Sequence, residues 1–369
     1  LRLALAIGTT LLCLTIGEVA CRVRAHMENA HTLSNALTDR PVLSPDEPAT
    51  LGDIIQISYD DRIAYELRPG MKDVSFKGAT LSTNSLGFRS FEHPVEEPGN
   101  GVTIVGLGDS IMFGHGVADG ETYLDRLAVI LSNQYPDKTW RIINTGVPGY
   151  NTVMEVATLE EKTLAFGPDL VVVGLCSNDF GPPNYVRVED DVWDTSRSFL
   201  TEWVAELRDP LAPSARYRSS ALTFRRRWSD DDDSGEALAP PRYADLYGRQ
   251  SALDALDRLA EFSEQEGFEV LALLIFEPTK VVPGKATPEL TLVQACKQRG
   301  FHTLRMQAEI TSFVEQAKGE FTWDQYLQTR LAVSPANGHP SAMLHSMAAR
   351  NVYTYLKSSG VLDTLVGSD

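Results

Sequence analysis

The sequence predicts an α/β protein built on a doubly wound parallel sheet, and two observations predict it. From residue 102 onward, short β-branched or aliphatic runs alternate with longer stretches of helical period. Several of these runs end in Gly, Ser, Asn or Asp, the residues that turn a chain out of a strand. Right-handed crossovers bring such strand ends to one edge of the sheet, where open α/β sheets place their ligands.

In chain order, Leu3 to Gly17 is apolar or small, bounded by Arg2 and by Glu18, Arg22 and Arg24. Residues 1–25 are therefore expected to form a signal-anchor or transmembrane segment, with the rest of the chain outside the cytoplasm, in the periplasm or at the cell surface. Residues 26–53, with Pro41, Pro45 and Pro48, are expected to be a linker. Residues 54–100 are expected to form an N-terminal β/irregular subdomain, a hairpin packed on the main domain.

The main domain, 101–362, is expected to carry strands at 102–107, 140–144, 169–175 and 268–275. Helices are expected at 121–135, 151–165, 249–266, 286–299 and 341–358. The alternation breaks between 181 and 247, an insertion whose Asp230, Asp231, Asp232 and Asp233 lack calcium-loop spacing and are expected in a solvated loop. Its aromatics (Trp193, Phe199, Trp203, Tyr217 and Phe224) are expected to form a cap near the ligand edge.

A net charge of -17 argues against nucleic acid as a partner. Four scattered cysteines suit neither a disulfide framework nor a zinc site.

The densest chemical signal is Gly108-Asp109-Ser110, which presents a serine hydroxyl at a strand end. It is not the G-x-S-x-G elbow, and Ile111 stands where a dinucleotide fingerprint needs its third glycine. A serine becomes a nucleophile only beside a base. Downstream come Val147-Pro148-Gly149, then Asn178-Asp179 after a strand-like run, then Asn337-Gly338-His339-Pro340 before the last helix. Four such blocks in this order resemble the SGNH (GDSL-type) hydrolase/esterase superfamily. Tyr65, Leu67 and Pro69 followed by Asn84, Gly87, Phe88 and Arg89 resemble its membrane-anchored bacterial type.

The resemblance implies a flavodoxin-like sheet and a serine esterase that needs no cofactor or metal. Ser110 would be the nucleophile and His339 the base, with the N–H groups of Ser110 and Gly149 and the amide of Asn178 as oxyanion donors. The partner would be an ester-bearing small molecule, a lipid or an O-acylated glycan. Two alternatives stand beside this: an O-acyltransferase acting on a surface glycan, and a degenerate protein that binds glycan or lipid without turnover. The second is motivated by a departure from the pattern. Ala336 and Asn337 occupy the positions where the family has an aspartate, which leaves Asn337, a backbone carbonyl or a distant carboxylate such as Asp324 to hold the imidazole. Cys176 also replaces a family glycine. Of the other histidines, His115 is expected to start the next helix and face away, and His345 to be structural.

Overall fold

The computed structural model describes residues 2–38, 43, 46–95, 101–187, 192–193, 195, 198–208, 222–224, 241–277 and 287–367. In chain order its elements begin with α1 (Arg2–Thr38), α2 (Leu51–Ile54), β1 (Ile55–Ile57), β2 (Tyr65–Leu67), β3 (Val74–Phe76) and β4 (Ala79–Leu81). Then come β5 (Gly101–Leu107), α3 (Ser110–Phe113), α4 (Tyr123–Gln134), β6 (Thr139–Asn144), α5 (Thr152–Thr158), β7 (Leu170–Leu175), β8 (Tyr185–Arg187), α6 (Phe199–Arg208) and β9 (Leu222–Phe224). The last are α7 (Arg249–Glu266), β10 (Glu269–Leu274), α8 (Pro288–Gln298), β11 (His302–Arg305), α9 (Gln307–Lys318), α10 (Trp323–Leu327), β12 (Ala332–Ser334), β13 (Asn337–Pro340), α11 (Ala342–Ser358) and α12 (Val361–Val366).

The chain divides into two compact units, one of Leu1–Val42 with Tyr185–Arg225 and one of Leu43–Asn184 with Arg226–Asp369. In the first, α1 carries an apolar stretch, Leu5–Met27, long enough to cross a membrane. Its Leu5, Leu11, Leu12 and Ile16 are exposed. Residues 26–38, expected in a linker, are helical, because α1 continues to Thr38; no Gly or Pro interrupts residues 18–40. Part of the insertion packs within this unit. Glu18 of α1 accepts hydrogen bonds from Ser198 Oγ and from the backbone N–H groups of Phe199 and Leu200, satisfying the first turn of α6. Phe199 and Trp203 thus lie on a helix beside α1, while Tyr217 and the four-aspartate loop fall outside the described residues.

The second unit holds a five-stranded sheet in the order β11-β10-β7-β5-β6, parallel throughout. Read from β6, that is the flavodoxin-like order expected from the sequence. Alternate residues of each strand serve opposite faces. Val102 and Ile104 of β5, Leu170 and Val172 of β7 and Leu271 and Leu273 of β10 pack with α4, α9 and α11. Val105 and Leu107, Val171 and Val173, and Val270 and Ala272 pack with α5, α7 and α8. Both faces are buried, which is why these strands read as continuous apolar runs.

Three differences from expectation have local causes. The helix expected over 151–165 stops at Thr158 and continues as a π turn (Leu159–Thr163) and a 3₁₀ turn (Leu164–Phe166) ending at Gly167. Strand β11 was unexpected because it closes one sheet edge, and its His-Thr-Leu-Arg sequence is half-buried or exposed. The hairpin β12–β13 was unexpected too; it carries Asn337 and His339.

Candidate active site

Strand β5 delivers the chain into Asp109, which caps α3 by accepting from the backbone N–H of Ile111 at 2.9 Å. Ser110 is the first residue of that one-turn helix, so its own N–H has no intrahelical acceptor. Its Oγ lies 3.2 Å from Asp109 Oδ2 and 2.9 Å from His339 Nε2.

The His339 ring is held from its other nitrogen by Asn337, whose Oδ1 lies 2.7 Å from Nδ1. The same oxygen accepts from the backbone N–H of His339 at 3.2 Å. A backbone N–H can only donate, so the amide oxygen, not its NH₂, faces the imidazole. Nδ1 therefore carries the proton, and Nε2 turns its lone pair to the Ser110 hydroxyl. Asp324, the distant carboxylate considered from the sequence, is exposed on α10 and makes no hydrogen bond to His339.

Gly149 lies in the turn after β6. That turn is pinned to the Ser110 turn by the Val147 N–H, which donates to the Gly108 carbonyl at 3.1 Å. Gly149 has φ +82°, and a Cβ there would come within 1.9 Å of Asn184 Nδ2; only glycine fits both the conformation and the space. Asn178, after β7, donates one amide hydrogen to the Tyr150 carbonyl at 2.6 Å and accepts from Cys176 Sγ at 2.8 Å. This fixes the amide with its second hydrogen uncommitted among the described residues. Cys176, in place of the family glycine, thus orients Asn178.

The residues from Tyr65 to Arg89 do more than pack. Tyr65 donates to the Pro148 carbonyl at 2.9 Å, Tyr150 donates back to the Tyr65 carbonyl, and the two rings meet edge-on at 5.4 Å. Asn84 accepts from the backbone N–H groups of Leu86 and Phe88, shaping the turn that aims Arg89 inward. Arg89 is buried and donates to the carbonyls of Phe113 at 2.7 Å, Gly114 at 2.8 Å and Val117 at 2.6 Å, with Asp119 as its counter-ion at 3.2 Å. The end of α3 and the following loop are held by this one guanidinium. The sequence pattern of this segment points to packing alone.

His115 corrects an expectation. It does not start the next helix or face away; its ring stacks on His339, centroids 4.1 Å apart and planes 25° from parallel. Gly114 (φ +82°) and Gly116 (φ +93°) flank it, and this left-handed pair folds the side chain back. Burial, with His339 and Lys77 nearby, pushes the His115 imidazole down to about 3. His345 is structural, as expected. It is buried, stacks on Tyr123 at 5.8 Å and accepts from the Tyr123 backbone N–H at 3.1 Å; burial takes it down to about 3.

Beneath the site, burial raises Glu155 and Asp179 well above the usual carboxylate range, each disfavoured further by neighbouring carboxylates. Asp179 accepts from the Cys176 N–H at 2.7 Å, whereas both carboxyl oxygens of Glu155 lack a hydrogen-bond partner among the described residues. Among the described residues no group of three or more His, Cys, Asp and Glu is arranged to hold a metal ion.

No curated protein sequence matches the chain. Among solved structures it is similar to a two-domain esterase active on acetylated mannans, with 15% identity and a TM-score of 0.40, covering 70% of this chain and 49% of that one. The chain thus spans about half the length of that esterase. It is also similar to a catalytic mutant of the acetylxylan esterase Axe2 from Geobacillus stearothermophilus, with 17% identity and a TM-score of 0.41, covering 71% and 96% of the two chains. For TesA the figures are 16%, 0.36, 69% and 98%. Residues 107–239 match the family described as GDSL-like Lipase/Acylhydrolase. With that match on a flavodoxin-like sheet whose first strand ends in Gly-Asp-Ser, this part of the chain is similar to the GDSL-like lipase/acylhydrolase (SGNH) family.

Proposed function

We propose that the protein is a serine esterase working through an acyl-enzyme on Ser110. The observation that carries this reading is the 2.9 Å contact between Ser110 Oγ and His339 Nε2, on a ring whose tautomer Asn337 sets. As Oγ attacks the ester carbonyl, its proton passes to Nε2 and the carbonyl oxygen becomes an oxyanion. The N–H groups of Ser110 and Gly149 and the uncommitted hydrogen of Asn178 are the donors available to it. Collapse breaks the ester C–O bond, and Nε2–H protonates the departing alcohol. Water activated by the same nitrogen then releases the acid. A sugar hydroxyl in place of water would make the same machinery an O-acyltransferase. Esters of small molecules, lipids and O-acylated glycans all fit this chemistry.

Non-catalytic binding is the second reading, favoured by the neutral Asn337 in place of a carboxylate. Labelling with a fluorophosphonate probe separates the two. The esterase reading expects covalent labelling of the folded protein, lost in Ser110→Ala and in heat-denatured controls, together with loss of aryl-ester hydrolysis. A folded Ser110→Ala protein that keeps its activity would refute the assignment of the nucleophile. We also propose that the Leu5–Met27 stretch anchors the protein, with the enzyme unit in the periplasm or at the cell surface. Recovery of the uncleaved full chain in the soluble fraction would overturn this.

A further inference from the structure

The insertion meets α1 at one turn, Glu18 to Arg22, and both of those side chains reach it. Glu18 accepts from Ser198 Oγ at 2.8 Å and from the backbone N–H groups of Phe199 and Leu200 at 3.1 Å and 3.0 Å. Arg22 pairs with Glu18 at 2.9 Å, donates to the Val192 carbonyl at 2.5 Å and lies 4.8 Å over the Phe199 ring. Gly17 leaves room for Leu200, whose Cδ2 would stand 3.1 Å from a Cβ there. At this turn the apolar run from Leu3 to Gly17 gives way to Glu18, Arg22 and Arg24. Charges at the end of a membrane-crossing stretch are tolerated when protein partners satisfy them, and here α6 and Val192 supply such partners.

The contact holds the first turn of α6. Along that helix Phe199, Trp203 and Leu207 recur at every fourth residue, with Leu200 and Val204 beside them. The other positions are Thr201, Glu202, Ala205, Glu206 and Arg208. Phe199 is buried, but Trp203 and Val204 are 36% exposed and Leu207 is 65% exposed. The apolar arc that docks on α1 at its start is therefore open at its far end. Trp193, next to the carbonyl that Arg22 holds, is 84% exposed. On α1, Val19 and Val23 adjoin the same turn and are exposed as well.

We propose that α6 and Trp193 form a collar at the membrane surface. In it α6 lies in the headgroup–acyl boundary beside α1, with Trp193, Trp203 and Leu207 in contact with lipid. The inference rests on the reading of Leu5–Met27 as an anchor. Lipid is the occupant because the open arc of α6 continues the exposed apolar surface of α1, and because the two helices join where the anchor's apolar run ends. Tryptophan suits this depth, since its ring is apolar and its N–H reaches headgroup water. A helix with one apolar arc lies in the plane of the boundary, with that arc roughly 5–10 Å deep. Glu18 caps the helix that must lie there, and Arg22 holds the segment that carries the second tryptophan.

The test uses the full chain in nanodiscs of phosphatidylcholine and phosphatidylglycerol, with or without bromine on the upper part of the acyl chains. Tryptophan emission is compared between wild type, Trp193→Phe, Trp203→Phe and the double variant. Brominated lipid should quench the wild type, and the double variant should lose at least about half of that lipid-dependent quenching. Leu207→Asp keeps both tryptophans but puts a charge on the apolar arc, and it should lower the quenching about twofold. Circular dichroism confirms that each variant is folded, and if the double variant fails to fold, the single ones carry the comparison. A double variant quenched as strongly as wild type overturns the proposal. So does a wild type whose Trp203 is shielded from lipid while residue 207 cross-links to a second copy of the chain. The anchor reading fails separately: the uncleaved full chain would then stay outside the nanodiscs. A chain that enters them, with quenching indifferent to Trp193 and Trp203, leaves the anchor standing and sinks the collar.

Discussion

Asn337 Oδ1 bridges two donors of a single residue, the backbone N–H of His339 at 3.2 Å and its ring Nδ1 at 2.7 Å. The bridge does half of what an aspartate would do. It selects the tautomer, but it offers no negative charge to the imidazolium.

Asn337→Asp should therefore raise kcat. In serine proteases the exchange of aspartate for asparagine costs roughly 10⁴, largely through the wrong tautomer. Here the tautomer is already right, so the gain should be smaller, about tenfold, and Asn337→Ala should fall below wild type. Ester hydrolysis under saturating substrate checks both; a wild type faster than the Asp variant would mean the amide already suffices.

Asn178→Ala should lower kcat by roughly 10²–10³ with little change in KM, the pattern of a donor used only in the transition state. A raised KM at constant kcat would place Asn178 in ground-state binding instead.

Arg89→Lys keeps the charge but cannot serve three carbonyls from one planar fork. Stability should drop by roughly 2–3 kcal/mol, read from urea midpoints, and activity should fall with it as the loop after α3 loosens. Tyr65→Phe removes only the bond to Pro148 and should cost about 1 kcal/mol. Equal stability of Arg89→Lys and wild type would show that the loop holds itself.

Glu155 and Asp179 bind protons more tightly folded than unfolded, since burial raises both. Their contribution is thus complete below the unfolded carboxylate range and is lost as pH rises toward the folded values. Melting temperature should decline from about pH 5 toward pH 8, and Glu155→Gln, which cannot ionise, should flatten that decline by about 2 °C or more. Parallel pH curves for the two proteins would contradict this.

How much was legible depended on how local each signal is. The run of β7 is apolar along its length because both faces are covered, and its ends were read to within one residue. Ser110, Gly149, Asn178 and His339 were proposed from a resemblance, because bringing residues so far apart in the chain together requires a sheet order that no local spacing encodes. His115 was expected to start the next helix and face away, but the chain turns left-handed at Gly114. The role of Arg89 was hidden because its acceptors are backbone carbonyls, which have no sequence signature.

The contact between Ser110 and His339 spans 229 positions of the chain. Strands β5, β6 and β7 and the serine turn are synthesised before the hairpin bearing Asn337 and His339, and that hairpin must close a long loop before its ring meets the hydroxyl. A nascent chain therefore carries Ser110 without His339 beside it until that hairpin has been made and docked.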